Sequence, residues 1–168
     1  MKPLAGQIDF DALLCRKVTF FDNLKKRKQR SHITIGEILD GVLSGRWREA
    51  IADVRIASRR SKEETNATKV SRLAAFKPSG IFLGLKASDF QSHSGIICID
   101  LDEVGTSINE LKLGLAQHLS TLAIFVSPSG RGLKVLFGVQ ASNEEEHNAC
   151  WLSIQRDLSS ILPNSVKV

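Results

Sequence analysis

An α+β fold is predicted for this 168-residue chain by three observations. Capping-box spacings open successive helical patterns in the first half, three apolar runs of strand character follow in the second, and the breaker Lys77-Pro78-Ser79-Gly80 stands between them. The length suits one domain with a real core, or a two-lobed one. The expected division is a basic, mainly helical lobe over residues 1–78 and a lobe of strands and helices over 79–168.

In the first lobe, VTFF (Val18 to Phe21) reads as a short strand. The run KKRKQR follows; such runs are exposed loops or helix faces, and here Lys25, Lys26, Arg27, Lys28 and Arg30 form the strongest local attractor for a polyanion such as nucleic acid. Thr34 and Glu37 have capping-box spacing, and Ile35, Ile38, Leu39 and Val42 give the apolar face of a helix limited by Gly41 and Gly45. Trp47, Ile51, Val54 and Ile56 predict a second helix, with Trp47 as a core anchor and Arg46, Arg48, Arg55, Arg59 and Arg60 on its charged faces and end. Ser61 and Glu64 open a third, polar helix towards Leu73. Beyond the break, IFLGL (81–85) reads as a strand.

The second lobe is more regular. Gly95 to Leu101 predicts a buried strand, and Ser107 with Glu110 caps a helix carrying Ile108, Leu111, Leu115 and Leu119. Ala123 to Val126 is a second strand, and the turn Ser127 to Arg131 returns the chain into a third, Gly132 to Val139. Ser142 and Glu145 cap a last helix with Cys150, Trp151, Ile154, Leu158 and Ile161, after which Ser165 to Val168 has the character of a fourth strand just beginning. The order βαββα(β) is that of the ferredoxin-like, or RRM-like, unit, ending before its last strand. In that topology the first and third strands are antiparallel neighbours, so Asp100 and Asp102 are expected to converge with Lys134.

Charge is divided unevenly along the chain. Up to Gly84 there are 17 Lys/Arg against 9 Asp/Glu, and beyond it 6 against 9, within a net charge of +5. A basic lobe beside an acidic one suits a polyanion held near carboxylates, although a solvated basic surface has the same composition. No apolar run approaches the roughly 20 residues of a membrane span, and the N-terminus lacks the pattern of a secretory signal, so a cytoplasmic protein is expected. Cys15, Cys98 and Cys150 form no ligand cluster and are read as reduced, buried structural thiols.

Two stretches carry chemistry. Strand alternation puts Asp100 and Asp102 on one face, roughly 6 to 7 Å apart along the strand. Carboxylates so placed can bridge Mg²⁺ or Mn²⁺ for two-metal phosphoryl transfer, or they can simply end the strand and favour the positive pole of the next helix. In SPSGRGLK, closely spaced glycines allow an anion nest, with donors and charge from Ser127, Ser129, Arg131 and Lys134. An ordinary hairpin turn with a rigid Pro128 explains the same residues. It is not a P-loop, because the GxxxxGK[ST] spacing is absent.

Together IICIDLD, SPSGRGLKVLF and the preceding LAAFKPSGIF, within about Arg72 to Val139, resemble the archaeo-eukaryotic primase (primase-polymerase) superfamily, in particular its VirE N-terminal-domain-like branch of mobile-element replication proteins. The resemblance implies a nucleotidyltransferase acting on nucleoside triphosphates over a single-stranded DNA or RNA template, with a helicase or other replication protein as partner. Carried over by position, Asp100 and Asp102 are metal ligands, and Ser127, Ser129, Gly130, Arg131, Gly132 and Lys134 lie at the nucleotide phosphates. Lys134 stands where the superfamily commonly has His. The strand bearing its third Asp would begin where the sequence ends, leaving Asp89 or Glu103 as substitutes, or a module that binds nucleic acid without catalysis.

Overall fold

The computed structural model describes residues 8–26, 28–102, 104–105 and 108–162 of the chain. It opens with a short helix, α1 (Phe10–Leu14), whose N-cap Asp9 accepts a hydrogen bond from the Ala12 amide at 3.0 Å. Strand β1 (Lys17–Phe21) contains the expected VTFF and lies between β2 (Arg30–Thr34) and β3 (Ala75–Lys77), both antiparallel to it. The first lobe, expected to be mainly helical, thus also holds a three-stranded sheet. Neither flanking strand announces itself: β2 is polar and largely exposed, and β3 has only three residues.

Helices α2 (Ile35–Leu43), α3 (Arg48–Ala57) and α4 (Lys62–Arg72) complete this lobe. The capping box of α2 is formed in full, with Thr34 Oγ1 accepting from the Glu37 amide at 3.2 Å and Glu37 Oε2 accepting from the Thr34 amide at 2.9 Å. Helix α4 starts after Ser61, whose Oγ accepts from the Glu64 amide at 3.0 Å. Trp47 packs against the core beneath α2, with its ring 6.3 Å from that of Phe20 and the Arg46 guanidinium 5.5 Å above it.

Past the break, β4 (Gly80–Phe82) and β5 (Phe90–His93) pair antiparallel; β5 is a strand with no clear apolar alternation to predict it. Strand β4 is bound to the first lobe, because the buried Thr19 hydroxyl of β1 accepts from the Phe82 amide at 2.7 Å and donates to the Phe82 carbonyl at 3.2 Å. The segment around Pro78 is therefore a bend between packed parts rather than a free linker.

The third sheet holds β6 (Ile96–Leu101), β7 (Thr121–Val126) and β8 (Leu133–Gly138) in the order β6-β8-β7, antiparallel throughout. Register pairs Ile97 with Phe137, Ile99 with Val135 and Leu101 with Leu133. These side chains form one face, packed through Leu111, Leu115, Ile154 and Leu158 against α5 (Ile108–Ala116) and α6 (Glu144–Leu158). On the opposite face Ile96 and Leu136 join Leu13, Val18, Ile35 and Ile38 in a second core, so the first lobe covers one end of that face. Asp100 and Lys134, paired further along the same face, lie beyond this cover.

Several boundaries depart from expectation for local reasons. Helix α5 ends at Ala116, tightening through Gln117 and His118 amides bonded to Gly114 and Leu115, so Leu119 is not on its apolar face and is 92% exposed. Helix α6 takes Asn143 as N-cap in place of Ser142, since Asn143 Oδ1 accepts from the Glu146 amide at 2.9 Å while Glu146 reaches back to the Ser142 amide. All three thiols are free, but Cys15, at the C-cap of α1, is exposed rather than buried. Burial pushes the Cys98 thiol up to about 11, with Lys134 opposing, which makes it an inert filler behind Asp100. Ser107 and the expected strand at 165–168 lie outside the described residues. Among those described, no helix is long and apolar enough to cross a membrane.

A histidine pair joins β5 to α6. His93 Nδ1 accepts from the Gly95 amide at 2.8 Å, and its Nε2 lies 2.8 Å from His147 Nδ1. Neutral His93 therefore carries its proton on Nε2 and donates it to His147. Burial, then the charge of His147, draws His93 down from 6.5 to about 4 against the opposing pull of Glu146; burial also lowers His147, against Glu144. With the folded value below the unfolded one, the unfolded chain binds more protons between them. This contribution to stability is full above the unfolded value and is lost as pH falls towards 4. The melting temperature is expected to fall between about pH 7.5 and 5.5, above the range where carboxylates titrate, and to fall less in His93→Gln. Equal pH dependence in the two proteins would contradict this origin.

Candidate functional site

The exposed end of the third sheet brings together the residues singled out by the sequence. Asp100 of β6 and Lys134 of β8 are direct cross-strand partners, and Lys134 Nζ donates to Asp100 Oδ1. Both heads reach solvent, with side-chain exposures of 57% for Asp100 and 29% for Lys134. Leu101, between the aspartates, is buried in the opposite face, and Asp102 is exposed. Alternation therefore sets the two carboxylates on the same side of the strand end. Phe125 of β7 is the partner of Lys134 on its other side and gives the row an apolar flank.

The SPSGRG segment is a tight hairpin connection between β7 and β8. The Ser127 amide donates to the Gly132 carbonyl at 2.8 Å, the Gly130 amide to the Ser127 carbonyl at 2.8 Å, and the Gly132 amide to Ser127 Oγ at 3.1 Å. Those three amides are used within the turn, so they do not form the anion nest that the glycine spacing allowed. The Ser127 and Ser129 hydroxyls lie 3.2 Å apart, within hydrogen-bond reach of each other, and Arg131 is exposed. The two glycines serve geometry: Gly130 has φ +81°, and a Cβ on Gly132 would run into the Leu101 carbonyl oxygen. The Val104 amide donates to the Arg131 carbonyl at 3.1 Å, tying the turn to the segment just past Asp102.

Lys134, assigned to nucleotide phosphates, has its ammonium on Asp100, where it acts as a built-in counter-ion. Such an exposed pair is worth only about 0 to 1 kcal/mol, so a divalent cation at Asp100 and a phosphate at Lys134 can together replace it. The basic run stands in the other lobe: Lys25 and Lys26 close a short 3₁₀ turn that packs on α4, Arg30 starts β2, and Arg27 is outside the described residues. Arg55 of α3 was only one of five arginines around that helix, yet its Nε would lie 3.8 Å from a Cβ built on Gly130.

The donor set suits a hard cation. The carboxylate oxygens of Asp100 and Asp102 are donors of the kind Mg²⁺ and Mn²⁺ take and do not suggest zinc, although Asp100 is paired with Lys134 here. Among the described residues, no group of three or more His, Cys, Asp or Glu side chains converges here or elsewhere. Asp89 does not join the pair: its Oδ2 accepts from the Lys86 amide at 2.8 Å and closes a turn before β5. Glu103 lies outside the described residues.

Fold and site together define an α+β protein with an exposed carboxylate pair at a strand end, beside a cation-bearing hairpin. Residues 68–161, more than half of the chain, match the family described as BT4734-like, N-terminal domain, and the chain belongs to that family. No curated protein and no solved structure matches it.

Proposed function

We propose that this chain is a primase-polymerase-like nucleotidyltransferase module, cytoplasmic and related to the VirE N-terminal-domain-like proteins of mobile elements. The observation that carries this reading is the direct pairing of Asp100 with Lys134, with Asp102 on the same face and the SPSGRG turn closing over the strand end. The sheet order β6-β8-β7, with α5 and α6 on one face, supports an RRM-like lobe in which a further strand would lie beside β6. The first lobe, over residues 1–78, would then be an elaboration on the other face.

In this reading a 3′-hydroxyl attacks the α-phosphate of a nucleoside triphosphate opposite a template base, and pyrophosphate leaves. Asp100 and Asp102 would hold Mg²⁺ or Mn²⁺, which when bound would supply positive charge to the reacting phosphate. Ser127, Ser129 and Arg131 bind and orient the triphosphate, and Lys134, released from Asp100, adds a point charge to it. The cations from Lys25 to Arg30 attract a single-stranded DNA or RNA template, and a helicase or other replication protein is the natural partner. The test is primer synthesis or extension by the purified chain: product that requires Mg²⁺ or Mn²⁺ is expected, and its absence on every template would sink the proposal.

A second reading is favoured by one observation. Lys134 already neutralises Asp100, and no third carboxylate joins the pair among the described residues. A non-catalytic nucleic-acid-binding module derived from such an enzyme would have this appearance. It would bind DNA or RNA with strong salt dependence, indifferent both to Mg²⁺ and to Asp100→Ala.

A further inference from the structure

The hairpin between β7 and β8 is approached from the first lobe by one charged group. A Cβ built on Gly130 would lie 3.8 Å from Arg55 Nε, and among the described residues, its chain neighbours Ser129 and Arg131 aside, no other atom comes within 4 Å of that position. Arg55 belongs to the last turn of α3, is exposed, and among the described residues has no acidic partner. Its neighbours differ: Arg60 pairs with Glu64, and Arg72 pairs with Asp53 at 2.9 Å. A cation in a last turn offsets the helix dipole whichever way it points. The dipole does not explain why this one is set over a serine-rich turn of the other lobe.

We propose that Arg55 and the Ser127–Gly132 turn form one polyphosphate-binding site shared between the lobes, in which Arg55 holds a phosphate of a bound nucleoside triphosphate. This rests on the nucleotidyltransferase reading for the identity of the ligand, but its geometry stands apart from the aspartates. The Ser127, Gly130 and Gly132 amides are internally bonded, so few N–H groups of the turn are left to hold a polyanion without added positive charge. Arg131 gives one guanidinium, and while no metal displaces it Lys134 stays on Asp100, so Arg55 is the further cation that lies beside Gly130. The missing side chain at Gly130 keeps that space open. An Arg fork can bind phosphate through two N–H groups at once, which a lysine cannot do.

The experiment is calorimetric titration of the full chain with inorganic tripolyphosphate in EDTA, so that no metal takes part. Arg55→Ala is expected to weaken binding about 10- to 100-fold, the worth of charge-assisted hydrogen bonds. Arg55→Lys should recover part of the loss, and Arg59→Ala, removing an exposed arginine just past α3, should bind like the unaltered chain. Thermal melts of each variant establish that the fold is kept. Unchanged binding in Arg55→Ala, an equal loss in Arg59→Ala, or no tripolyphosphate binding by the unaltered chain each overturns the proposal. Arg55-dependent binding in a chain that makes no primer leaves this site standing and removes the polymerase reading. Working primer synthesis with Arg55-independent binding does the reverse.

Discussion

Asp100→Ala is expected to lower metal-dependent primer extension by roughly 10³-fold, because a ligand that positions charge on the reacting phosphate contributes several kcal/mol to the transition state. The same substitution should leave the melting temperature almost unchanged. Asp100 is exposed, its partner Lys134 is also in contact with water, and a surface ion pair contributes about 0 to 1 kcal/mol. Loss of activity with the fold retained separates a chemical role from one in ending the strand. Activity kept within a few-fold would remove Asp100 from the reaction and favour the binding-module reading.

Leu136→Ala is expected to destabilise the whole chain by about 2 to 5 kcal/mol, the usual cost of truncating a buried leucine. Leu136 is fully buried and belongs to β8, yet its cluster includes Leu13, Val18, Ile35 and Ile38 of the first lobe. If the lobes share this core, chemical denaturation followed by tryptophan fluorescence should shift as one transition. Trp47 reports on the first lobe and Trp151 on the second. Two separated transitions, with only the Trp151 signal moved, would show that the lobes fold independently.

The parts legible in the sequence were those governed by local chemistry. Thr34 with Glu37 and Ser61 with Glu64 mark helix starts because a side-chain oxygen three residues from an amide has few other places to go. The convergence of Asp100 with Lys134 was expected from the topology that the element order suggested, while their direct cross-strand register is set by the buried faces of β6 and β8. The strands β2, β3 and β5 were not legible, because their pairing partners, rather than their own patterns, make them strands. Nor could sequence choose Arg55 from its neighbours: the choice depends on how α3 packs against a turn 75 residues away. Glycine spacing likewise permits inward amides but cannot tell which of them the turn will bond to itself, as it does those of Gly130 and Gly132.

A divalent cation held between Asp100 and the turn is the centre of the proposed chemistry. The direct measurement is broadening of backbone amide NMR signals by substoichiometric Mn²⁺ in the presence of a nucleoside triphosphate, since the effect falls steeply with distance from the ion. Broadening centred on residues 100–102 and 127–134, and abolished by Asp100→Ala, is the predicted result. Broadening centred elsewhere, or a pattern indifferent to Asp100→Ala, would contradict the claim that this strand end is a metal and nucleotide site.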